Sequence, residues 1–245
     1  MRLNGVIIEI TNRCNYNCIM CPNSKQTRTK DIMDWHTFKN IINAINKVKY
    51  INFNMLGESL FDKDLVKKIN YARKIHKNAN LMLHTNASLP IGNLVNSPIN
   101  EVIVSFYGHN KASYKKLHGI DNFDRVLENI KKIKSDKISI ICNYIKGVND
   151  PKKVEELFKG YRFMSYPIHT FAGGVDLEGQ EKDCEIMKGI LVFLWNGDVT
   201  TCCMDYDGKN VFGNINHKPL FEIMEDLKEK ELPVCKTCSL GEMMK

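Results

Sequence analysis

The sequence predicts an α/β fold, with a partial (β/α)6 barrel over residues 1–170 and a small C-terminal α+β module over residues 171–245. Three observations carry that reading. Short apolar runs alternate with stretches whose apolar residues recur every three or four positions, the pattern of strands joined by crossover helices and hence of a parallel sheet. That alternation stops near residue 170, where a hairpin pattern and further cysteines begin. The polar motifs of the first part fall near the ends of predicted strands, where the loops of such a sheet converge on a site.

Val6-Ile7-Ile8-Glu9-Ile10 is the first predicted strand. Asp34 caps a helix through Ile45 that puts Phe38, Ile41, Ile42 and Ile45 on one face. Tyr50 to Met55 reads as the second strand, ended by Gly57-Glu58, and residues 62–77 read as a helix. Leu81 to His84, Val102 to Phe106, Lys137 to Tyr144 and Tyr161 to Ile168 supply strands three to six. A helix over 122–134 turns Phe123, Val126, Leu127, Ile130 and Ile133 inward, and a short one covers 151–159. In the second part, Ile190 to Trp195 and Val199 to Thr201 flank Asn196-Gly197, a hairpin signal, and a helix from Leu220 to Lys230 follows. No internal repeat or low-complexity segment interrupts this order.

Of the 245 residues, 43% are hydrophobic and 26% charged, enough apolar surface to bury a core without disulfides. The net charge of +7 allows acidic ligands, but the lysines lie on predicted helix faces where solvation accounts for them. A basic nucleic-acid binder would interleave aromatic and basic residues on one face, and that pattern is missing, so no nucleic-acid partner is expected. No run of eighteen apolar residues and no signal-peptide pattern occurs, so the expectation is a cytoplasmic protein without a membrane span. In that reducing setting nine cysteines point to metal or redox chemistry.

The cysteines define two sets. Cys14, Cys18 and Cys21, at spacings of four and three, leave the first strand together. Three thiolates can hold a four-iron cluster while leaving one iron open to a substrate or cofactor. The alternatives are a zinc knuckle short of one ligand, or a disulfide pair with a spare thiol. The second set is Cys184, Cys202, Cys235 and Cys238, four thiols from three places that can close a tetrahedral zinc or complete a cluster. Cys203 stands beside Cys202, but neighbours on a strand face opposite ways, so one metal takes only one of them. Cys142, on the fifth strand, reads as packing.

Cys-x3-Cys-x2-Cys after a first strand resembles the signature of the radical S-adenosylmethionine (radical SAM) superfamily. The resemblance implies a 4Fe-4S cluster on Cys14, Cys18 and Cys21, with S-adenosylmethionine on the open iron, cleaved by one electron to a 5′-deoxyadenosyl radical. Met55-Leu56-Gly57-Glu58 resembles the family's Gly-Gly-Glu motif with Leu56 in place of the first glycine, which implies that Gly57 and Glu58 hold the cofactor's ammonium group. Thr85-Asn86 and Ser105 are similar to positions that contact the cofactor or shape its pocket, and Asn143 to one that approaches the ribose. Met20 holds a place beside the adenine that is often aromatic. The stretch Ser105-Phe-Tyr-Gly108 resembles a Ser-x-Asp-Gly turn, with Tyr107 where the Asp would be.

Given the first set, Cys184, Gly197-x4-Cys202 and Cys235-x2-Cys238 resemble the C-terminal extension called SPASM in its short, single-cluster "twitch" form. That implies a second 4Fe-4S cluster, an auxiliary acceptor for an electron from the substrate, with zinc as the alternative. Such enzymes either oxidise a small substrate or modify a peptide by thioether, carbon–carbon or formylglycine chemistry. Peptide maturases often carry a leader-binding domain ahead of the first strand, and this sequence starts at that strand. The expectation is therefore dehydrogenation of a small sugar-, aminocyclitol- or nucleotide-linked substrate, with a flavodoxin- or ferredoxin-type electron donor. A non-catalytic zinc or iron–sulfur module is the reading from another class. Arg162, His169, Tyr107 and His84 are candidates for a base, and none is assigned as catalytic.

Overall fold

The computed structural model describes residues 3–169, 171, 174–175 and 189–227. Its order is β1 (Gly5–Ile8), α1 (Trp35–Ala44), β2 (Tyr50–Asn52), α2 (Leu65–Ile75), β3 (Asn80–Thr85), α3 (Gly92–Val95) and β4 (Glu101–Ser105). Then come α4 (Lys111–His118), α5 (Phe123–Lys131), β5 (Ile138–Tyr144), α6 (Pro151–Leu157) and β6 (Arg162–Pro167). The last elements are β7 (Ile190–Phe193), β8 (Asp198–Thr200), β9 (Gly213–Asn214) and α7 (Leu220–Asp226).

All nine strands belong to one sheet in the order β6-β5-β4-β3-β2-β1-β7-β8-β9. The first six pair in parallel and in sequence order, so the carboxyl ends of all six lie on one rim. β7 adds in parallel to the free side of β1, with Gly5 opposite Ile190, and β8 and β9 continue antiparallel. The C-terminal hairpin is thus hydrogen-bonded into the same sheet as the barrel strands. Its turn is tight: the Gly197 N–H donates to the Leu194 carbonyl at 2.9 Å, and Gly197 takes φ +92°.

Period-3.6 patterning places the helices as expected. In α1, Phe38, Ile41 and Ile42 are fully buried, and the Asp34 carboxylate accepts from Thr37 N at 2.7 Å, a cap worth about 1 kcal/mol. In α5 only Val126 and Ile130 are fully buried, while Phe123 and Leu127, and Ile133 just past its end, pack at the edge of the core. Several elements differ from the sequence reading: α3 and β9 are additional to it, β1 ends at Ile8 rather than Ile10, and two more differences bear on the site. β2 ends at Asn52 rather than Met55, because residues 53–58 turn across to the loop after β1. Helix α4 was not separately expected, since its only apolar members are Ala112, Tyr114 and Leu117. It is fixed at both ends, by an Asn110–Ser113 capping box and by Gly119 at φ +74°.

Candidate active site

The loop after β1 carries the first cysteine set and is braced by buried amides. Asn12 Nδ2 donates to Gln26 Oε1 at 2.8 Å and to the Thr29 carbonyl at 2.9 Å, while its Oδ1 accepts from Asp31 N at 2.9 Å. Asn23 Nδ2 donates to the carbonyls of Asn12 and Leu56, joining this loop to the one after β2. Cys14, Cys18 and Cys21 line one cavity of about 450 Å³ that opens over the carboxyl ends of the strands. Burial pushes the Cys14 thiol up to about 11 and raises Cys18 and Cys21 as well. Nearby positive charge, such as coordinated iron, reverses that shift.

Gly57 and Glu58 enter the cavity where residues 53–58 cross this loop. A Cβ on Gly57 would stand 2.0 Å from the Thr11 carbonyl oxygen, so only glycine allows the approach, and Glu58 N donates to the Arg13 carbonyl at 2.8 Å. The Glu58 carboxylate is 2% exposed. Its Oε1 accepts from Thr85 Oγ1 at 2.9 Å and Leu60 N at 3.1 Å, and its Oε2 from Asn86 N at 2.7 Å. Burial raises its pKa despite these three donors, and among the described residues no cationic side chain pairs with it.

Strands β3 to β5 supply the facing wall. Asn86 Nδ2 donates to Asn15 Oδ1 at 3.0 Å, tying the end of β3 to the cysteine loop. The next residue, Ala87, sits at φ +51° with its carbonyl accepting from Asn129 Nδ2 at 2.9 Å, a left-handed conformation that an alanine adopts only under outside constraint. Ser105, Asn143 and Met20 also line the cavity, so all six proposed cofactor positions meet there. Gly108 is required by packing, because a Cβ there would stand 2.3 Å from the Tyr114 backbone.

The four candidates for a base separate. His84, Tyr107 and His169 line the cavity, whereas Arg162 does not. Arg162 opens β6, at the rim opposite the site, and its Nη1 lies 3.0 Å from Glu101 Oε1. Burial holds His84 down at about 4 and lowers His169, and it lifts the Tyr107 phenol well above its usual range. Sequence reasoning passed over Asn52, Asn54 and His118, which share the cavity. Asn52 Oδ1 is buried there without a hydrogen-bond partner among the described residues. Alternation along β2 was the signal for Asn52, since Ile51 points the other way into the core.

Of the second set only Cys202 is among the described residues; Cys184, Cys235 and Cys238 lie outside them. Cys202 and Cys203 follow β8 in a turn rather than lying within the strand. Cys202 is buried, and Cys203 lines the cavity. Cys142 is fully buried in β5, with its thiol pushed up to about 12.

Residues 8–159 match the family model of the radical SAM superfamily, and the chain belongs to that superfamily. Residues 184–239 match the SPASM model, an iron–sulfur cluster-binding domain. With these come a 4Fe-4S cluster and S-adenosylmethionine in the first part and auxiliary iron–sulfur in the second. An uncharacterized protein of Methanocaldococcus jannaschii is 31% identical over 150 residues, 58% of this chain and 48% of that protein. The GTP 3′,8-cyclase of Clostridium botulinum is 23% identical over 159 residues, 61% of this chain and 50% of the cyclase. The chain thus spans about half the length of the curated relatives it matches.

Among solved structures, BtrN in complex with AdoMet and 2-DOIA superposes with a TM-score of 0.74 at 19% identity, covering 100% of this chain and 97% of BtrN. Streptococcus suis SuiB bound to precursor peptide SuiA gives 0.62 at 14% identity, covering 99% of this chain and 71% of SuiB. At these identities the likeness is one of fold.

The residues present fit the groups the family carries. Among the described residues no three His, Cys, Asp or Glu side chains converge as they would on a single ion. The three thiols instead line a shared cavity, and a cubane takes each thiolate on a different iron. Glu58 offers a buried carboxylate that no cationic side chain among the described residues pairs with, a fit for a ligand carrying an ammonium group. No helix among the described residues is long and apolar enough to cross a membrane.

Proposed function

We propose that this chain is a radical SAM dehydrogenase acting on a small hydroxylated substrate, of the sugar, aminocyclitol or nucleotide-linked kind. The observation that carries the reading is the cavity wall beyond the cysteines. Asn52, Asn54 and His84 line it with amides and an imidazole, and Asn52 Oδ1 is an acceptor without a donor among the described residues. A substrate hydroxyl is the donor that satisfies it, because a buried unpaired acceptor is costly. The fold shared from end to end with BtrN, whose structure holds AdoMet and 2-DOIA, supports the small-molecule class.

In this reading Cys14, Cys18 and Cys21 hold the first cluster, and Cys184, Cys202, Cys235 and Cys238 hold the second. Glu58 pairs with the cofactor ammonium, Gly57 lets the backbone approach, and Met20, Asn86, Ser105 and Asn143 surround the rest of the cofactor. The first cluster with S-adenosylmethionine supplies the homolytic chemistry that removes a hydrogen atom from a C–H bond, and the second an acceptor for one electron. The chain positions the carbinol carbon, and Tyr166, His169 and Phe171 also line the cavity. His84 and His169, kept neutral by burial, are in the form that accepts a proton. A flavodoxin- or ferredoxin-type protein in the cytoplasm is the proposed electron donor.

The test uses anaerobically reconstituted protein with S-adenosylmethionine, reductant and a panel of polyols and aminocyclitols. Substrate-stimulated 5′-deoxyadenosine and a small product lighter by two hydrogens are expected. Cys184→Ala should retain cofactor cleavage and lose turnover, and normal turnover in that variant would remove the auxiliary role. A second reading, peptide modification, is favoured by β6, an edge strand among the described residues whose Tyr166 reaches the cavity while 43% exposed. Stimulation by peptides and by no small polyol would select it.

A further inference from the structure

We propose that His118 is a positioning residue that donates a hydrogen bond from Nδ1 to the Cys18 sulfur and so raises the reduction potential of the cluster on the first three cysteines. It rests on that cluster and is independent of the substrate reading. His118 is the last residue of α4 and is 1% exposed. Its Nδ1 lies 3.4 Å from Cys18 Sγ, and its Nε2 lies 3.2 Å from the backbone nitrogen of Tyr107.

The second contact decides the first. A backbone N–H can only donate, so Nε2 is the acceptor and carries no proton. A neutral imidazole has one N–H, which therefore sits on Nδ1 and faces the sulfur. The ring cannot easily turn away. It stacks on Tyr107 with centroids 4.6 Å apart and planes 6° apart, and Tyr16 and Tyr114 contact it at 5.4 and 4.1 Å. Ile19 N donates to the Leu117 carbonyl at 3.0 Å, pinning the cysteine loop to the end of this helix. Gly119 makes that approach possible, since a Cβ there would stand 2.5 Å from the Asn17 carbonyl oxygen.

Hydrogen bonds to cluster sulfurs are among the determinants of iron–sulfur potentials. The positive end of an N–H dipole stabilises the extra electron of the reduced state, and does so more strongly in a buried site. His118 thus makes the first centre easier to reduce, acting through Cys18 without touching the substrate.

The test is an EPR-monitored redox titration of the reconstituted full chain, following the signal that changes on adding S-adenosylmethionine. It is paired with pulsed EPR on enzyme labelled with 15N-histidine. The expected result is a 15N coupling to the reduced first cluster that is lost in His118→Phe, together with a more negative midpoint in that variant at unchanged iron content. His118→Asn, which keeps an amide N–H near the place of Nδ1, should return the midpoint toward the wild-type value. An unshifted midpoint in an iron-replete Phe variant, or no 15N coupling in the wild type, overturns the proposal. Should the Phe variant fail to load iron, the Asn variant decides, because the 15N-histidine coupling of the wild type must be lost in it and its persistence there overturns the proposal.

Discussion

Glu9 and Glu58 are both buried carboxylates, set beyond the ends of two hydrogen-bonded neighbours, β1 and β2, and the chain partners them differently. Glu9 is matched by an arginine: Arg28 Nη1 and Nη2 reach its two oxygens at 2.7 and 2.8 Å, and Trp195 N adds a third contact at 3.2 Å. Arg28 Nε also donates to the Tyr206 carbonyl, so the pair ties the cysteine loop to the C-terminal hairpin. Glu58 receives three neutral donors and no cationic side chain among the described residues, and it faces a cavity. A buried charge that the chain neutralises is a brace; one that it leaves for a ligand is a receptor.

The contrast is broken most completely by emptying the cavity. Cys14→Ala is expected to abolish 5′-deoxyadenosine formation and to halve the iron from about eight per chain, as two four-iron clusters require, read by iron and sulfide analysis. Next in size is Glu9→Gln, which leaves Arg28 with only the remaining charges of Asp205 and Asp207 and should cost about 3 kcal/mol in denaturant unfolding of the loaded protein. Glu58→Gln should cost much less stability, but should weaken S-adenosylmethionine binding about 10- to 100-fold, the loss of about 1.5–3 kcal/mol for a charged hydrogen bond, read by titrating the cluster spectrum.

Acidity sharpens the same contrast. Because burial raises the Glu58 pKa, the folded chain holds that proton more tightly than the unfolded chain. Its contribution to apo stability is therefore fully present below the ordinary glutamate value and declines as pH rises through the raised one. Cofactor binding needs the ionised form, so affinity should climb over that same window. A titration in which affinity and apo stability rose together would contradict the receptor role. The smallest effect is expected at Arg162→Ala, whose exposed pairing with Glu101 lies at the far rim: less than about 1 kcal/mol of stability and unchanged cofactor cleavage.

Much of this was legible from the chain alone. Apolar periodicity gave the six parallel strands, and the spacing of Cys14, Cys18 and Cys21 pointed to the site. What escaped was set by contacts distant in sequence. Glu9 and Arg28 read as a charge inside a strand and a basic residue in a loop, and nothing local announces their pairing. Arg162 did not belong among the candidates for a base, since its place at the start of the predicted strand Tyr161 to Ile168 already puts it at the amino end, the rim opposite the site. His118 sat in a helix with too few apolar residues to declare a face, and its aim at Cys18 depends on a glycine fitting against a loop some hundred residues earlier. Asn12 and Asn23 look like ordinary turn residues until their partners are known.

The seam between β1 and β7 bears on how the molecule is made. β1, the strand from which the cysteine loop departs, gains one neighbour from residues near position 50 and the other only from residues near 190. During synthesis its second edge therefore stays unpaired until most of the chain has left the ribosome, and pairings this remote in sequence form slowly. An exposed strand edge invites association with other chains. The last parallel pairing to form is thus the one that seals the strand from which the cysteine loop departs.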